Sequence, residues 1–208
     1  MKKLESSLTN MVLVLTGVAV IMGGILALVN HMTEGPINAQ KAKTLADGIK
    51  TVMCVSDITV SRTDTVKQND AKGKELTYII YQTQDAQGKD LGAAVESTTG
   101  GFGGDLKVLV GFDSEGNILG YTLLEHAETP GLGAKADKWF QKGEKGDIIG
   151  KNPKEPLTVS KDGGQVDAIT ASTITSRAFL LAVNNAYSAY KATPVDVETG
   201  ATPKEKEE

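Results

Sequence analysis

The chain has 208 residues, a formal net charge of −4 and a hydrophobic content of 40%, which suits one globular domain with appendages better than two full domains. The negative balance argues against a nucleic-acid partner, because no basic surface is available to neutralise phosphates. One cysteine and two histidines are too few for an intramolecular disulfide or a metal site built from those residues. Whatever chemistry the protein performs is therefore expected to come from an organic cofactor.

An apolar segment lies near the N-terminus. Residues 6–30 contain no charged side chain, and residues 11–29 are almost wholly apolar. A helix of roughly 20 residues crosses a hydrocarbon core about 30 Å thick, so residues 11–30 are predicted to be a transmembrane helix. The alternatives are a cleaved signal peptide, which has a shorter apolar core and a small-residue cleavage site, and a buried core helix, which a domain this small could not enclose.

The charges that flank the apolar segment predict its orientation. Lys2 and Lys3 precede it, whereas the next cations, Lys41 and Lys43, lie more than ten residues beyond it. Because positive flanks stay inside, residues 1–10 are predicted to be a cytoplasmic N-terminus. The protein would cross the bacterial inner membrane once, with membrane lipid as a partner and its soluble domain periplasmic or otherwise extracytoplasmic.

Residues 31–55 are predicted to form an amphipathic linker helix between the membrane and the domain. Thr33 is a suitable N-cap and Pro36 suits a first turn. Apolar residues then recur at helical spacing as far as Met53. Residues 61–76 are polar and are predicted to be a loop or an irregular edge.

The rest of the chain alternates short apolar runs with turn residues. Strands are predicted at residues 78–81, 92–96, 107–112, 118–124 and 157–159, with helices at 134–141 and from Thr173 onward. The predicted fold class is α+β: an antiparallel sheet with flanking helices, at residues 56–192, preceded by one transmembrane helix. Residues 193–208 are predicted to be a polar tail.

Residues 167–176 read Asp-Ala-Ile-Thr-Ala-Ser-Thr-Ile-Thr-Ser, with five hydroxyl side chains within seven residues at the predicted start of the last helix. Hydroxyl oxygens are favoured at helix starts because they accept hydrogen bonds from N–H groups that lack intrahelical partners. One or two hydroxyls would satisfy that need. The excess favours a binding role, and a helix N-terminus attracts phosphate. From the residues alone, both interpretations remain open.

This segment resembles the flavin-attachment motif of the FMN-binding subunits in two related respiratory complexes. These are the G subunit of the Rnf electron-transport complex and the C subunit of the sodium-pumping NADH:quinone reductase. Their motif reads Ser/Thr-Gly-Ala-Thr, and its last threonine carries FMN as a phosphoester. Thr170, Ala171, Ser172 and Thr173 occupy it here, so the resemblance implies covalent FMN on Thr173. Ala171 stands in place of glycine and Ser172 in place of alanine, which adds a second hydroxyl that could compete as the acceptor.

Two further segments are similar to the same family. Residues 128–133 match its Glu-Thr-Pro-Gly-Leu-Gly loop, and residues 100–104 match its turn of glycines around an aromatic residue. Without the resemblance, an ordinary strand-to-helix turn is the better interpretation of the first, and a glycine-rich turn is weak evidence. The resemblance implies cofactor contacts from the loop, at Glu128, Thr129, Gly131, Leu132 and Gly133.

The ordered set of motifs implies a membrane-anchored electron carrier with covalent FMN, a component of an Rnf-type ion-translocating ferredoxin:NAD oxidoreductase. Its implied partners are the other membrane subunits and a flavin transferase. No catalytic acid, base or metal is assigned, because electron transfer requires none. The alternatives are the C subunit of the quinone reductase, which tends to be longer, a non-redox FMN- or ligand-binding module, and a hydrolase. The hydrolase ranks low because no Gly-x-Ser-x-Gly motif is present.

Overall fold

The computed structural model of the protein describes residues 7–69 and 75–191. Residues 1–6, which include Lys2 and Lys3, and the polar tail predicted at residues 193–208 lie outside the described residues. Contacts between residues divide the chain into two compact units, with the boundary between Thr44 and Leu45.

The first helix, α1, spans Leu8–Met53 without a break. Among the described residues it is the one helix long and apolar enough to cross a membrane, with a mean hydropathy of 2.7 in its most apolar part and none of that part buried. The separate helix start predicted at Thr33 is wrong. The Thr33 hydroxyl donates to the carbonyl oxygen of Val29 at 2.9 Å, one turn back, and the helix continues through Pro36. A threonine inside a helix can bond the preceding turn in this way instead of capping a new helix.

Within the part of the chain that the structure describes, five strands form one antiparallel sheet in the order β1-β2-β3-β4-β5, so each strand pairs with its neighbour in sequence. Their bounds are β1 Ile58–Asn69, β2 Glu75–Asp85, β3 Asp90–Gly100, β4 Asp105–Phe112 and β5 Ile118–His126. This sheet, with its helices, confirms the α+β class. Of the two alternatives for residues 61–76, a loop or an irregular edge, the loop is wrong over residues 61–69, because the edge strand β1 occupies them. Half of the twelve residues of β1 are β-branched, and its position at the sheet edge leaves polar side chains solvated.

One face of the sheet packs against the last turns of α1. Ile49, Val52 and Met53 of α1 are buried there. Gly111 of β4 and Gly120 of β5 are paired across the strands, and a Cβ atom on either would run into the main chain of Val52. These two glycines therefore let the end of the helix come close to the sheet.

The opposite face carries the main core and the remaining helices. These are α2, Ala136–Trp139, which follows a 3-10 turn at Gly133–Lys135, and α3, Thr173–Tyr190. The helices predicted at residues 134–141 and from Thr173 are confirmed. The strand predicted at residues 157–159 is wrong: Val159 makes only a single bridge, to Val166.

Aromatic contacts hold α3 and the segment after β5 together on this face. The ring of Phe179 in α3 stacks on Phe140 at 4.3 Å between centroids and meets Tyr121 edge-on at 4.7 Å. The Tyr121 hydroxyl donates to the carbonyl oxygen of Ala136 at 2.7 Å and accepts from the N–H of Phe140 at 3.1 Å. Burial raises the pKa of Tyr121 above its ordinary value. The phenol therefore stays neutral and remains a donor.

Candidate functional site

A cleft of about 350 Å³ lies at the N-terminal end of α3. Three segments that are far apart in sequence line it: the glycine-rich turn after β3, the loop after β5 and the start of α3. Its volume falls within the range of about 300–1,000 Å³ that is usual for ligand pockets. The lining residues are Phe102, Glu128, Thr129, Leu132, Gly133, Ala171, Ser172, Thr173, Ile174 and Thr175.

Glu128 joins the three segments. Its side chain is buried, with 5% of the residue exposed. Oε1 accepts hydrogen bonds from the N–H groups of Phe102 at 2.7 Å and Gly103 at 3.3 Å. Oε2 accepts from the Thr175 hydroxyl at 2.7 Å. A buried carboxylate needs such donors, because an unpaired one would be strongly destabilising. Glu128 therefore fixes the walls of the cleft relative to one another.

Glycines make room for this carboxylate. A Cβ atom on Gly133 would run into Oε2 of Glu128 and would lie 2.7 Å from the Thr175 hydroxyl oxygen, and a Cβ atom on Gly101 would run into Oε1. Gly131 differs, since its φ is +77° and a Cβ atom there would meet open space. The two glycines of the loop thus have separate roles: Gly133 allows close packing and Gly131 allows a left-handed turn.

The five hydroxyls at residues 170–176 have different surroundings. Ser176 accepts from the N–H of Ile169 at 2.9 Å and donates to the carbonyl oxygen of Ser172, also at 2.9 Å, so it shapes the turn before the helix. Thr175 is engaged with Glu128. Ser172 is buried at 8% exposure and Thr170 is exposed, whereas Thr173 is half-buried and lines the cleft.

The first turn of α3 is open to an anion. Ser172 is the N-cap residue, yet its side chain makes no capping hydrogen bond. The first N–H groups of any helix lack intrahelical acceptors, and here they belong to Thr173, Ile174 and Thr175 at the cleft wall. Their partial positive charge, added to the helix dipole, creates a suitable position for a phosphate group.

Ala171, just before α3, has a φ of +61°. This is the left-handed region, which costs a residue with a side chain roughly 1–2 kcal/mol. It is also the position at which the resembling motif has glycine. The structure therefore gives a backbone reason for glycine there, and this chain tolerates the strain with the smallest side chain that has a Cβ.

Sequence reasoning missed Lys161, whose ammonium Nζ donates to the Thr173 hydroxyl oxygen at 3.2 Å. Asp162, the next residue, receives two hydrogen bonds from Arg177 of α3, at 2.8 and 2.7 Å. These bonds raise the pKa of Arg177 above its ordinary value. No motif signalled Lys161, because it lies twelve residues before Thr173 in an irregular segment. Only the folded loop brings the two together.

The cleft contains most of the site residues predicted from sequence. Glu128, Thr129, Leu132, Gly133, Ala171, Ser172 and Thr173 line it, whereas Thr170 and Gly131 are not among the lining residues. Phe102, Ile174 and Thr175 also line it, although they were not singled out as contacts. Phe102 could have been anticipated, because it is the aromatic residue within the glycine-rich turn.

Comparison with known proteins agrees with this geometry. The FMN-binding domain family matches residues 101–188, which include all three segments of the cleft. Three proteins, each named as the G subunit of an ion-translocating oxidoreductase complex, are similar along the chain. The Vibrio cholerae serotype O1 protein is 33% identical and covers 84% of this chain and 86% of its own length. The Yersinia pestis protein is 35% identical, with 78% and 80% covered, and the Aliivibrio fischeri protein is 37% identical, with 64% and 65% covered.

The fold and the cleft therefore define an FMN-binding domain that follows an apolar helix long enough to span a membrane. At this level of identity and coverage, the chain belongs to the family of G subunits of the ion-translocating oxidoreductase complex.

The different surroundings of Gly133 and Gly131 generate a prediction. Gly133→Ala should lower the free energy of unfolding by about 2 kcal/mol, because the new methyl group displaces the Glu128–Thr175 pair. Gly131→Ala should cost only about 1 kcal/mol, the cost of a left-handed alanine. Urea unfolding of the detergent-solubilised protein measures both. Equal losses would show that Gly133 does not support the carboxylate.

A second prediction concerns the strain at Ala171. Ala171→Gly should raise the free energy of unfolding by about 1 kcal/mol, because glycine relieves the left-handed backbone and this outweighs its extra freedom in the unfolded chain. Ala168→Gly in the same segment is the matched control: its φ is not positive, so it should destabilise by about 0.5–1 kcal/mol. The same urea titration measures both, and a loss of stability in Ala171→Gly would contradict the assigned strain.

Proposed function

We propose that this chain is a membrane-anchored electron carrier of an Rnf-type ion-translocating oxidoreductase complex, with FMN attached to Thr173 as a phosphoester. The observation that carries the proposal is the position of the Thr173 hydroxyl. It lies on the wall of the cleft, in the first turn of α3, within a region that matches the FMN-binding domain family.

The surroundings of the other hydroxyls support Thr173 as the acceptor. Thr175 and Ser176 are buried and hydrogen-bonded within the protein, so using either would break an internal contact. Ser172 is largely buried. Thr170 is exposed but does not line the cleft. Thr173 combines partial exposure with a position beside the N–H groups that would receive the phosphate.

The residues of the cleft fit an FMN group. The first turn of α3 offers N–H groups and a positive dipole end to the phosphate. Phe102 and Leu132 contribute apolar surface that is 68% and 42% exposed, which a planar aromatic ring could cover. The negative charge of Glu128 is engaged by three donors, so it does not confront the phosphate unpaired. When bound, FMN would supply one- or two-electron redox chemistry, while these residues bind and orient it.

The division of the chain into functional parts follows the same proposal. We assign residues 11–30 to the membrane span, 31–55 to a linker within the continuous α1, and 56–192 to the FMN-binding domain. Other membrane subunits of the complex would be the redox partners, and a flavin transferase would attach the cofactor. The relatives support this role through their names, which describe a component of such a complex.

The attachment site can be tested by in-gel fluorescence. The full chain, co-expressed with a flavin transferase, should give a fluorescent band on a denaturing gel, because a phosphoester survives denaturation. Thr173→Ala should give a dark band of equal protein intensity. Thr170→Ala and Ser172→Ala are the matched controls, since each removes a neighbouring hydroxyl, and both should remain fluorescent.

Mass spectrometry of the intact protein is the second measurement in this experiment. The mass of the labelled protein should increase by that of one FMN group less one water molecule. A fluorescent Thr173→Ala protein together with a dark Ser172→Ala protein would show that Ser172, and not Thr173, is the acceptor. A wild-type protein that remains unlabelled beside the transferase would reject covalent attachment.

The proposed orientation places residues 31–208 outside the cytoplasm. Protease added to intact spheroplasts should degrade the domain, because only the N-terminal residues would be protected. A cytoplasmic protein of the host, monitored in the same samples, should remain intact and serves as the control. Full protection of the domain until the cells are lysed would reverse the orientation.

A further inference from the structure

We propose that Lys161 is a positioning residue for flavin attachment: its ammonium group holds the Thr173 hydroxyl and neutralises the phosphoester that forms there. This inference rests on the proposed attachment at Thr173. The contact that motivates it is the hydrogen bond from Lys161 Nζ to Thr173 Oγ1 at 3.2 Å. It brings a cation to the one atom that must form the new bond to phosphorus.

The loop that carries Lys161 is held at its base. Val159 and Val166 on either side are buried in the core, and the N–H of Ser160 donates to the carbonyl oxygen of Val166 at 2.8 Å. Between them, Ser160–Asp162 forms a 3-10 turn that ends at Gly163, whose φ is +84°. The position of the Lys161 backbone is therefore fixed by the fold, although its side chain is exposed.

Arg177 ties this turn to the helix that carries the acceptor. Its guanidinium group makes the two hydrogen bonds to Asp162 given above, and the two side chains are only 23% and 14% exposed. A bidentate pair of this kind has a defined geometry. Because Arg177 lies one turn after Thr173 on α3, the pair fixes the distance between the Lys161 turn and the acceptor. It also balances the charge of Asp162 beside Lys161.

Two carboxylates flank this position. Asp162 is paired with Arg177, and Asp167 accepts a hydrogen bond from the Ser160 hydroxyl at 3.2 Å. Glu128 lies farther along the cleft wall and is bound to Thr175. The partners of Asp162 and Glu128 offset the charges of these two carboxylates, but they place no cation at the Thr173 hydroxyl. Lys161 does so, and removal of its charge would therefore remove the attraction for a phosphate at that atom.

The chemistry of attachment explains why a cation helps at this atom. A phosphoester to threonine requires an activated flavin donor in which the FMN phosphate is part of a phosphoanhydride. The Thr173 oxygen forms a bond to that phosphorus, the anhydride P–O bond breaks, the leaving phosphate takes the electron pair, and the hydroxyl proton is released. The phosphoryl group carries negative charge throughout, and a cation beside the reacting oxygen stabilises that charge.

The test measures the initial rate of attachment to the full chain in detergent, with purified flavin transferase and its dinucleotide substrate, by in-gel fluorescence over time. Lys161→Met keeps the aliphatic stem and removes the charge, so the rate of attachment should fall by about tenfold. Removal of a buried oxyanion-hole donor lowers a rate by more than this, but the Lys161 side chain is exposed and its charge is partly screened by solvent. Lys161→Arg should remain within about threefold of wild type, since it restores the charge. Lys154→Met removes the charge of an exposed lysine seven residues earlier in the chain; it is the control and should match wild type.

Two further measurements separate positioning from a structural role. The unfolding temperature should be the same for all four proteins, and added salt should slow the wild type more than Lys161→Met, because it screens the charge that the variant lacks. If Lys161→Met fails to fold, Lys161→Gln replaces it in the same series. Attachment at the wild-type rate in the variant, or an equal loss in Lys154→Met, would overturn the inference while leaving Thr173 as the acceptor. A wild-type protein that takes no flavin would overturn both proposals.

Discussion

The cleft depends on one buried carboxylate. Glu128 has two oxygens and three donors, and these donors come from the turn after β3 and from α3, while Glu128 itself follows β5. No pair of these segments is adjacent in sequence, so the hydrogen bonds of a single side chain set the spacing of the cleft walls. The arrangement is demanding, because a buried charge without its partners is strongly destabilising. Gly101 and Gly133 are part of the same constraint, since each leaves the volume that one of the carboxylate oxygens occupies.

The helix α3 serves the core and the cleft at the same time. Further along, Phe179 lies against Phe140 and Tyr121, and Thr99 at the end of β3 donates to the carbonyl oxygen of Ala178 at 2.9 Å. These contacts hold the helix axis on the sheet. Its first turn can consequently present N–H groups and a hydroxyl at a defined place without being stabilised by a ligand. Of the hydroxyls clustered at its start, which are ambiguous in sequence, those of Thr175 and Ser176 make internal hydrogen bonds, whereas Thr173 is half-buried on the cleft wall.

The sequence predicted the parts of this site that are local and missed those that depend on distant contacts. The helix start at Thr173 was found from its cluster of hydroxyls and the loop at residues 128–133 from its resemblance to the family's motif, and most of their residues line one cleft. Lys161 was missed because nothing near it in sequence distinguishes it from other exposed lysines. The polar composition of residues 61–76 could not decide between a loop and an irregular edge, because an edge strand with one paired side tolerates polar residues. The helix start predicted at Thr33 was wrong because threonine and proline also occur inside long helices. The local sequence alone does not show whether such residues begin a helix or lie within one.

The shape of the cleft bears on why a covalent link would suit this protein. Phe102 is mostly exposed and Leu132 is partly so, and the cleft is a groove at the end of a helix rather than an enclosed cavity. A groove of this kind buries little of a ligand, so non-covalent contacts alone would give modest affinity, because they must first offset the lost freedom of the ligand. A phosphoester at Thr173 would make a high non-covalent affinity unnecessary, because the cofactor could not dissociate. With the proposed link, the protein would be free to leave the ring accessible to redox partners, which is what an electron carrier needs, while the hydrogen bonds of Glu128 hold the walls of the cleft together.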